Sequence, residues 1–169
     1  MHQLVECVPN FSEGREAAFY NQIANVIRSV PGIKILDVSA DPDHNRTVIT
    51  FVGAPADVEE AAFRGIGKAA ELIDLDHHEG EHPRIGATDV CPFIPIRGVT
   101  IKECVALANR LGQRVGEKLD VPVYLYGEAA TSPEREKLST IRKGQYELWK
   151  EEVATNPARK PDFGPADPK

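Results

Sequence analysis

The sequence predicts an α+β protein whose helices cover mainly one face of a sheet. Three observations carry that prediction. Short alternating or β-branched apolar runs are interleaved with segments whose apolar residues recur at helical spacing. Pro, Gly, Asn and Asp punctuate the junctions between them. The 169 residues, 41% hydrophobic and 27% charged, suffice for one domain with a buried core.

The elements follow in order. Residues 3–8, QLVECV, alternate as a strand that Pro9-Asn10 closes. From Arg15 to Val30 the positions Ala18, Phe19, Ile23, Val26, Ile27 and Val30 form one helical stripe, which Pro31-Gly32 ends. Residues 33–39, IKILDVS, and 46–53, RTVITFVG, predict two strands joined by the polar turn ADPDHN, the second rich in β-branched residues. Asp57 to Ile73 reads as a helix with Pro55 near its entrance. VCPFIPIRG carries two prolines and predicts an edge or irregular strand. Thr100 is placed to cap a helix reaching about Leu119, because its hydroxyl can accept an orphan backbone N–H. VPVYLYG at 121–127 predicts a strand, Ser132-Pro133-Glu134 the start of a helix, and a polar helix containing Tyr146 and Trp149 follows.

The order βαββα, then strand, helix and strand, predicts a ferredoxin-like α/β sandwich, with a mixed sheet, elaborated towards the C-terminus. No G-x-G-x-x-G follows the first strand and no P-loop occurs, which disfavours a doubly wound nucleotide fold. TNPARKPDFGPADPK at 155–169 has four prolines and few aliphatic residues. It predicts a domain over 1–155 and an exposed linker or tail over 156–169.

A net charge of −6 gives no sequence-wide attraction to nucleic acid or anionic membrane. No apolar run approaches a membrane span, and the N-terminus lacks the pattern of a secretory signal. Cys7, Cys91 and Cys104 are scattered among apolar neighbours, as buried thiols in a reducing compartment such as the cytoplasm would be.

The most unusual segment is HHEGEHPRIG at 77–86. His78-Glu79-Gly80-Glu81-His82 is a literal H-E-x-x-H, the string with which zinc proteases hold a metal and activate water. That chemistry needs both histidines one turn apart on a continuous helix. Gly80 weakens such a helix by roughly 1 kcal/mol, Pro83 disfavours the α conformation for His82, and no histidine follows that would complete the ligand set. The competing reading is a single proton-transfer imidazole, His82, in a stiff extended segment. Glu79 or Glu81 would orient it, and Arg84 would offer a fork for a carboxylate. His77 and His78 would be bystanders. Other polar residues gather near strand ends: Asn10, Ser12 and Glu13 after the first strand, Asp37, Asp41, Asn45 and Arg46 around the second turn, and Glu128 after YLYG. Turn stabilisation accounts for them about as well as ligand binding does.

VECVPNFSEG at 5–14, NRTVITFVG at 45–53, GEHPRIGATDVCPFIPIRGVT at 80–100, VPVYLYGEAA at 121–130 and PDFGP at 161–165 together resemble the glutamate formiminotransferase family. The resemblance is to its N-terminal subdomain, as in formiminotransferase-cyclodeaminase, and runs through nearly the whole chain in order. It implies transfer of a formimino group from N-formimino-L-glutamate to tetrahydrofolate, polyglutamylated or not, in histidine degradation. No metal is expected to take part. By the same resemblance His82 is the catalytic base, and Gly164 and Pro165 begin a folate-binding stretch that continues into a second ferredoxin-like subdomain, with a homodimer as a further partner. Asn10 is a substrate-binding candidate. Glu79, Glu81 and Asp41 are candidates to face the cationic formimino group, and Arg46 and Arg84 to hold substrate carboxylates. The alternatives are a non-catalytic folate- or partner-binding module and formyl transfer from N-formylglutamate.

Overall fold

The computed structural model describes residues 2–167. The first strand is broken by its own proline. β1 (Leu4–Cys7) and β2 (Asn10–Phe11) lie on either side of Val8-Pro9. Pro9 has no N–H to give to a ladder, but its carbonyl still accepts Ile49 N–H at 3.2 Å, so both halves stay against one neighbour. That neighbour is β4 (Arg46–Gly53), which pairs with β1 and β2 along one edge and with β3 (Lys34–Asp41) along the other. On the far side, β5 (Thr88–Val90) pairs with β2 and β6 (Phe93–Arg97) with β1. The sheet therefore runs, by residue, 88–97, 4–11, 46–53, 34–41.

Every pairing among these strands is antiparallel, which corrects the expected mixed sheet. Each helical crossover joins strands one position apart, so the strand between them runs opposite to both. The expected prolines sit where the sheet tolerates them: β6, with Pro95, is an edge strand.

Three helices cover one face. α1 (Ala17–Arg28) buries Ile23, Ala24 and Ile27. α2 (Pro55–Leu72) starts two residues earlier than expected because Pro55 is its first residue rather than a spacer. α3 (Ile101–Leu119) opens with a full capping box: Thr100 Oγ1 accepts Glu103 N–H and the Glu103 carboxylate accepts Thr100 N–H. Their apolar stripes meet Val5, Cys7, Phe11, Ile49 and Phe51 in one core. The opposite face of the sheet leaves Leu36, Ile94 and Ile96 exposed.

Two expected elements do not form. Residues 121–127 make no strand; among the described residues their only ladder contact is the bridge between Val123 and Phe163. Pro122 cannot donate, and the apolar side chains of Val121 and Val123 pack on the main core instead of extending the sheet. The helix expected from Ser132 is a single 3-10 turn, Pro133–Arg135, followed by the short α4 (Leu138–Ile141). The polar helix does form as α5 (Gln145–Glu152), whose Tyr146 and Trp149 build a second small core with Leu75 and Val153.

The expected free tail is packed over residues 157–163. Arg159 is buried and donates to Glu152, Ile141 O and Lys143 O. Asp162 accepts Leu125 N–H at 2.7 Å and Thr131 Oγ1–H at 2.7 Å. Phe163 and Gly164 lie on α3 where Gly112 and Gly116 remove the side chains; a Cβ on Gly116 would stand 2.5 Å from Gly164 N.

Candidate active site

Three loops converge at one end of the sheet: residues 8–14, the turn 41–46 and the segment 78–90. Asn45 joins them. It adopts φ 52°, a left-handed conformation that Asn tolerates better than most residues. Its Oδ1 accepts Gly14 N–H at 2.9 Å and its Nδ2 donates to Glu79 O at 2.9 Å. Gly80 lies so close to this turn that a Cβ would stand 2.4 Å from His44 O. Ser12 ties the first loop to the third, donating its hydroxyl to Gly86 O at 2.7 Å and its N–H to Ala87 O at 2.8 Å.

The histidine segment is not helical beyond the 3-10 turn Leu75–His77, so the H-E-x-x-H premise fails. Both ring nitrogens of His78 are engaged inside the protein. Arg84 Nε–H donates to His78 Nδ1 at 2.8 Å, and His78 Nε2–H donates to Asn45 O at 3.2 Å. An arginine can only donate, so that geometry requires a neutral His78 protonated at Nε2. Burial, with the Arg84 charge, lowers its pKa below the ordinary imidazole value.

His82 is different. Its Nδ1–H donates to its neighbour's carbonyl, Pro83 O, at 2.6 Å, which fixes the tautomer and leaves Nε2 as an unprotonated acceptor. The ring lines a small concavity with Asn10, Ser12, His44, Asn45, Arg46, His78, Arg84 and Asp89. Burial lowers the His82 pKa, and the nearby charges of Arg46 and Arg142 push it further in the same direction against the Pro83 bond and Asp89.

The other expected site residues divide. Asn10 and Arg46 share the concavity. The Arg46 guanidinium is half-buried and has no hydrogen-bond partner among the described residues, although Asp89 and Asp41 act on its charge. Arg84 also lines the concavity, but its fork is directed inward. It makes two 2.8 Å bonds to Glu147, one of 3.1 Å to Gln145 and one of 3.1 Å to His78 O, so it fastens the segment to α5 and leaves little fork for a substrate.

Asp41 is likewise engaged. Its Oδ1 accepts the N–H groups of Asp43 and His44, and its Oδ2 accepts His44 Nδ1–H at 2.7 Å. Those bonds, the His44 backbone N–H first, hold its carboxyl below the usual range. Glu79 and Glu81 are exposed and contribute backbone bonds, Glu79 O to Asn45 and Glu81 N–H to Asp43 O. Gly164 and Pro165 are not in the concavity; Gly164 packs against Val121 O and α3.

Sequence reasoning missed His44 and Asp89. His44 sits inside ADPDHN, where a turn explains every polar residue. Asp89 accepts Ile85 N–H at 2.6 Å and pairs with Arg142, so it braces the chain just after His82. Asp89 also lines a cavity of about 450 Å³ between α2, α3 and residues 121–129. Cys91 reaches that cavity, with its Sγ 3.6 Å from the buried Cys7 Sγ; all three cysteines are free.

Residues 4–169 match the family described as the formiminotransferase domain, N-terminal subdomain. The chain is 55% identical to a glutamate formimidoyltransferase of Thermoplasma acidophilum over 96% of its length, 44% identical to one of Streptococcus pyogenes over 97%, and 54% identical to the formimidoyltransferase-cyclodeaminase of Mus musculus over 98%. It spans 54% of each of the first two proteins and 30% of the third. By its sequence over residues 4–169, the chain belongs to the formiminotransferase N-terminal subdomain family.

Proposed function

We propose that this chain supplies the proton-transfer half of a glutamate formimidoyltransferase, moving a formimino group from N-formimino-L-glutamate to N5 of tetrahydrofolate. The observation that carries this reading is the state of His82: its ring lines the shared concavity, Nδ1–H is held by Pro83 O, and Nε2 has no hydrogen-bond partner among the described residues.

His82 Nε2 takes the proton that N5 sheds as the N5–carbon bond forms. The resulting imidazolium returns it to the glutamate nitrogen as the old carbon–nitrogen bond breaks, so one residue serves both steps and ends neutral. Low imidazole basicity keeps the acceptor form populated at neutral pH. Arg46, charged and without a hydrogen-bond partner among the described residues, is the group we assign to a substrate carboxylate, with Asn10 in the same concavity. Arg84 and Asp41 act indirectly, Arg84 through the 78–84 segment and Asp41 through His44. Glu79 and Glu81 are exposed in the segment that carries His82, where they would attract the cationic donor.

The strand order by residue, 88–97, 4–11, 46–53, 34–41, with two helical crossovers, supports a ferredoxin-like assignment. Because the relatives are longer, we assign residues 1–155 to the first subdomain and 156–169, with Gly164 and Pro165, to the approach to a second one that completes the folate cleft. The assembly is a homodimer working in the cytoplasm. Among the described residues no helix is long and apolar enough to cross a membrane.

The test is 5-formiminotetrahydrofolate formation by the full-length protein. His82→Ala is expected to lower kcat by roughly 10²- to 10⁴-fold, the usual worth of a positioned acid–base group, while folate binding persists. Folate binding without turnover in the wild type would instead identify a binding module.

A further inference from the structure

His44 stands beside His82 with a carboxylate behind it. Asp41 Oδ2 accepts its Nδ1–H at 2.7 Å, and the two imidazole rings meet edge-to-face with centroids 6.3 Å apart at 67°. Both rings line the same concavity, and His44 Nε2 has no hydrogen-bond partner among the described residues. A carboxylate can only accept, so while it is ionised a neutral His44 must keep its hydrogen on Nδ1 and present a lone pair at Nε2. The bonds to the His44 backbone and ring hold Asp41 in that ionised state. Nothing in the proton transfer assigned to His82 uses this second acceptor.

The donor supplies a reason for it. A formimino group and a formyl group have the same shape at the reacting carbon, but the first ends in N–H and the second in a carbonyl oxygen that can only accept. An acceptor fixed at that point pairs with one and opposes the other. We propose that His44, with its tautomer set by Asp41, selects a formimino donor over a formyl donor by accepting the N–H of the transferred group at Nε2. This rests on the transferase reading above and adds a specificity-determining contact to it. The adjacent carboxylate also complements the cationic charge of the donor, which formylglutamate lacks at that position.

The atoms of Asp41 make a specific test possible. Oδ1 caps the turn through the N–H groups of Asp43 and His44, and Oδ2 alone meets the ring. Asp41→Asn keeps the capping oxygen and places an N–H against His44 Nδ1. The ring must then accept at Nδ1 and carry its hydrogen on Nε2, which turns the acceptor into a donor.

The experiment compares kcat/KM for N-formimino-L-glutamate and N-formyl-L-glutamate, with tetrahydrofolate, in the full-length protein. The wild type is expected to favour formimino by on the order of 100-fold, and His44→Leu to reduce that ratio by roughly 10- to 100-fold, the range for an unpaired polar group in a site built to pair it. Asp41→Asn is expected to reduce the ratio as well, and to have no further effect on it in a His44→Leu background. Damage to the fold lowers both donors together and leaves the ratio alone. A ratio unmoved by either substitution overturns the assignment of His44. If neither donor is turned over, the transferase reading has failed, and calorimetric binding of the two donors decides His44 separately. Tighter binding of the formimino compound that Asp41→Asn abolishes supports the assignment, and equal affinities in the wild type overturn it.

Discussion

Asn45 and His78 show how far the site depends on single side chains that never need to touch a substrate. Asn45 satisfies one N–H and one carbonyl from two different loops while holding a left-handed backbone. Asn45→Ala removes both bonds and adds backbone strain, and is expected to cost about 2–3 kcal/mol in urea unfolding, the sum of two modest terms. A loss below about 0.5 kcal/mol would show that the loops hold without it.

His78 must stay neutral, because Arg84 donates to its Nδ1. Its folded pKa lies below the unfolded value, so the unfolded state binds the proton more readily. The stability this contributes is complete above the unfolded imidazole pKa, about 6.5, and is lost as pH falls below that through the lower folded value. The melting temperature should therefore drop on acidification in that window, and His78→Gln should flatten the drop. Of these residues the sequence singled out His82 through its unusual segment, and it offered Asn45 and Arg46 only among polar residues of a turn that capping explains equally well. It concealed His44, because a polar turn is sufficient explanation for it.

At the scale of elements, two contests between effects can be decided by measurement. Gly116→Ala in α3 gains roughly 1 kcal/mol of helix propensity, but its Cβ would lie 2.5 Å from Gly164 N, a backbone atom that cannot swing away. The clash should win, lowering the melting temperature and making residues beyond Asp162 easier for a protease to cut. A raised melting temperature with unchanged cleavage would mean that the C-terminal segment does not pack on α3.

α5 depends on a similar long-range tie, the two-pronged bond from buried Arg84 to Glu147. Arg84→Ala should cost about 2 kcal/mol, within the range for charge-assisted bonds, and should speed hydrogen exchange in α5 more than in α1. Equal acceleration in both helices would point to global destabilisation instead. The three long helices and the strands over 34–41 and 46–53 were legible because period and capping are local: Thr100 with Glu103 announces α3 by itself. Residues 121–127 were misread because an apolar run packed on a helix has the same composition as one paired in a sheet.

Across the whole molecule, the antiparallel sheet brings together loops separated by more than 30 residues, and the candidate site exists only where they meet. That convergence was only partly legible. The alternation of strands and helices was legible, whereas the ties that aim the site, Arg84 to Glu147 and Asp89 to Arg142, span 63 and 53 residues and leave no local signal. What the fold accomplishes is to bury part of an imidazole, with the charges of Arg46 and Arg142 acting on it, while one backbone carbonyl fixes its tautomer. The rate of formimino transfer to tetrahydrofolate by the full-length protein, followed from pH 5 to 8 in the wild type and in His82→Ala, tests that account most directly. It predicts a wild-type rate that is flat near neutrality and falls as pH drops below the ordinary imidazole value of about 6.5, with the variant slow throughout. A variant as fast as the wild type, or a wild-type rate that holds steady down to pH 5, would contradict it.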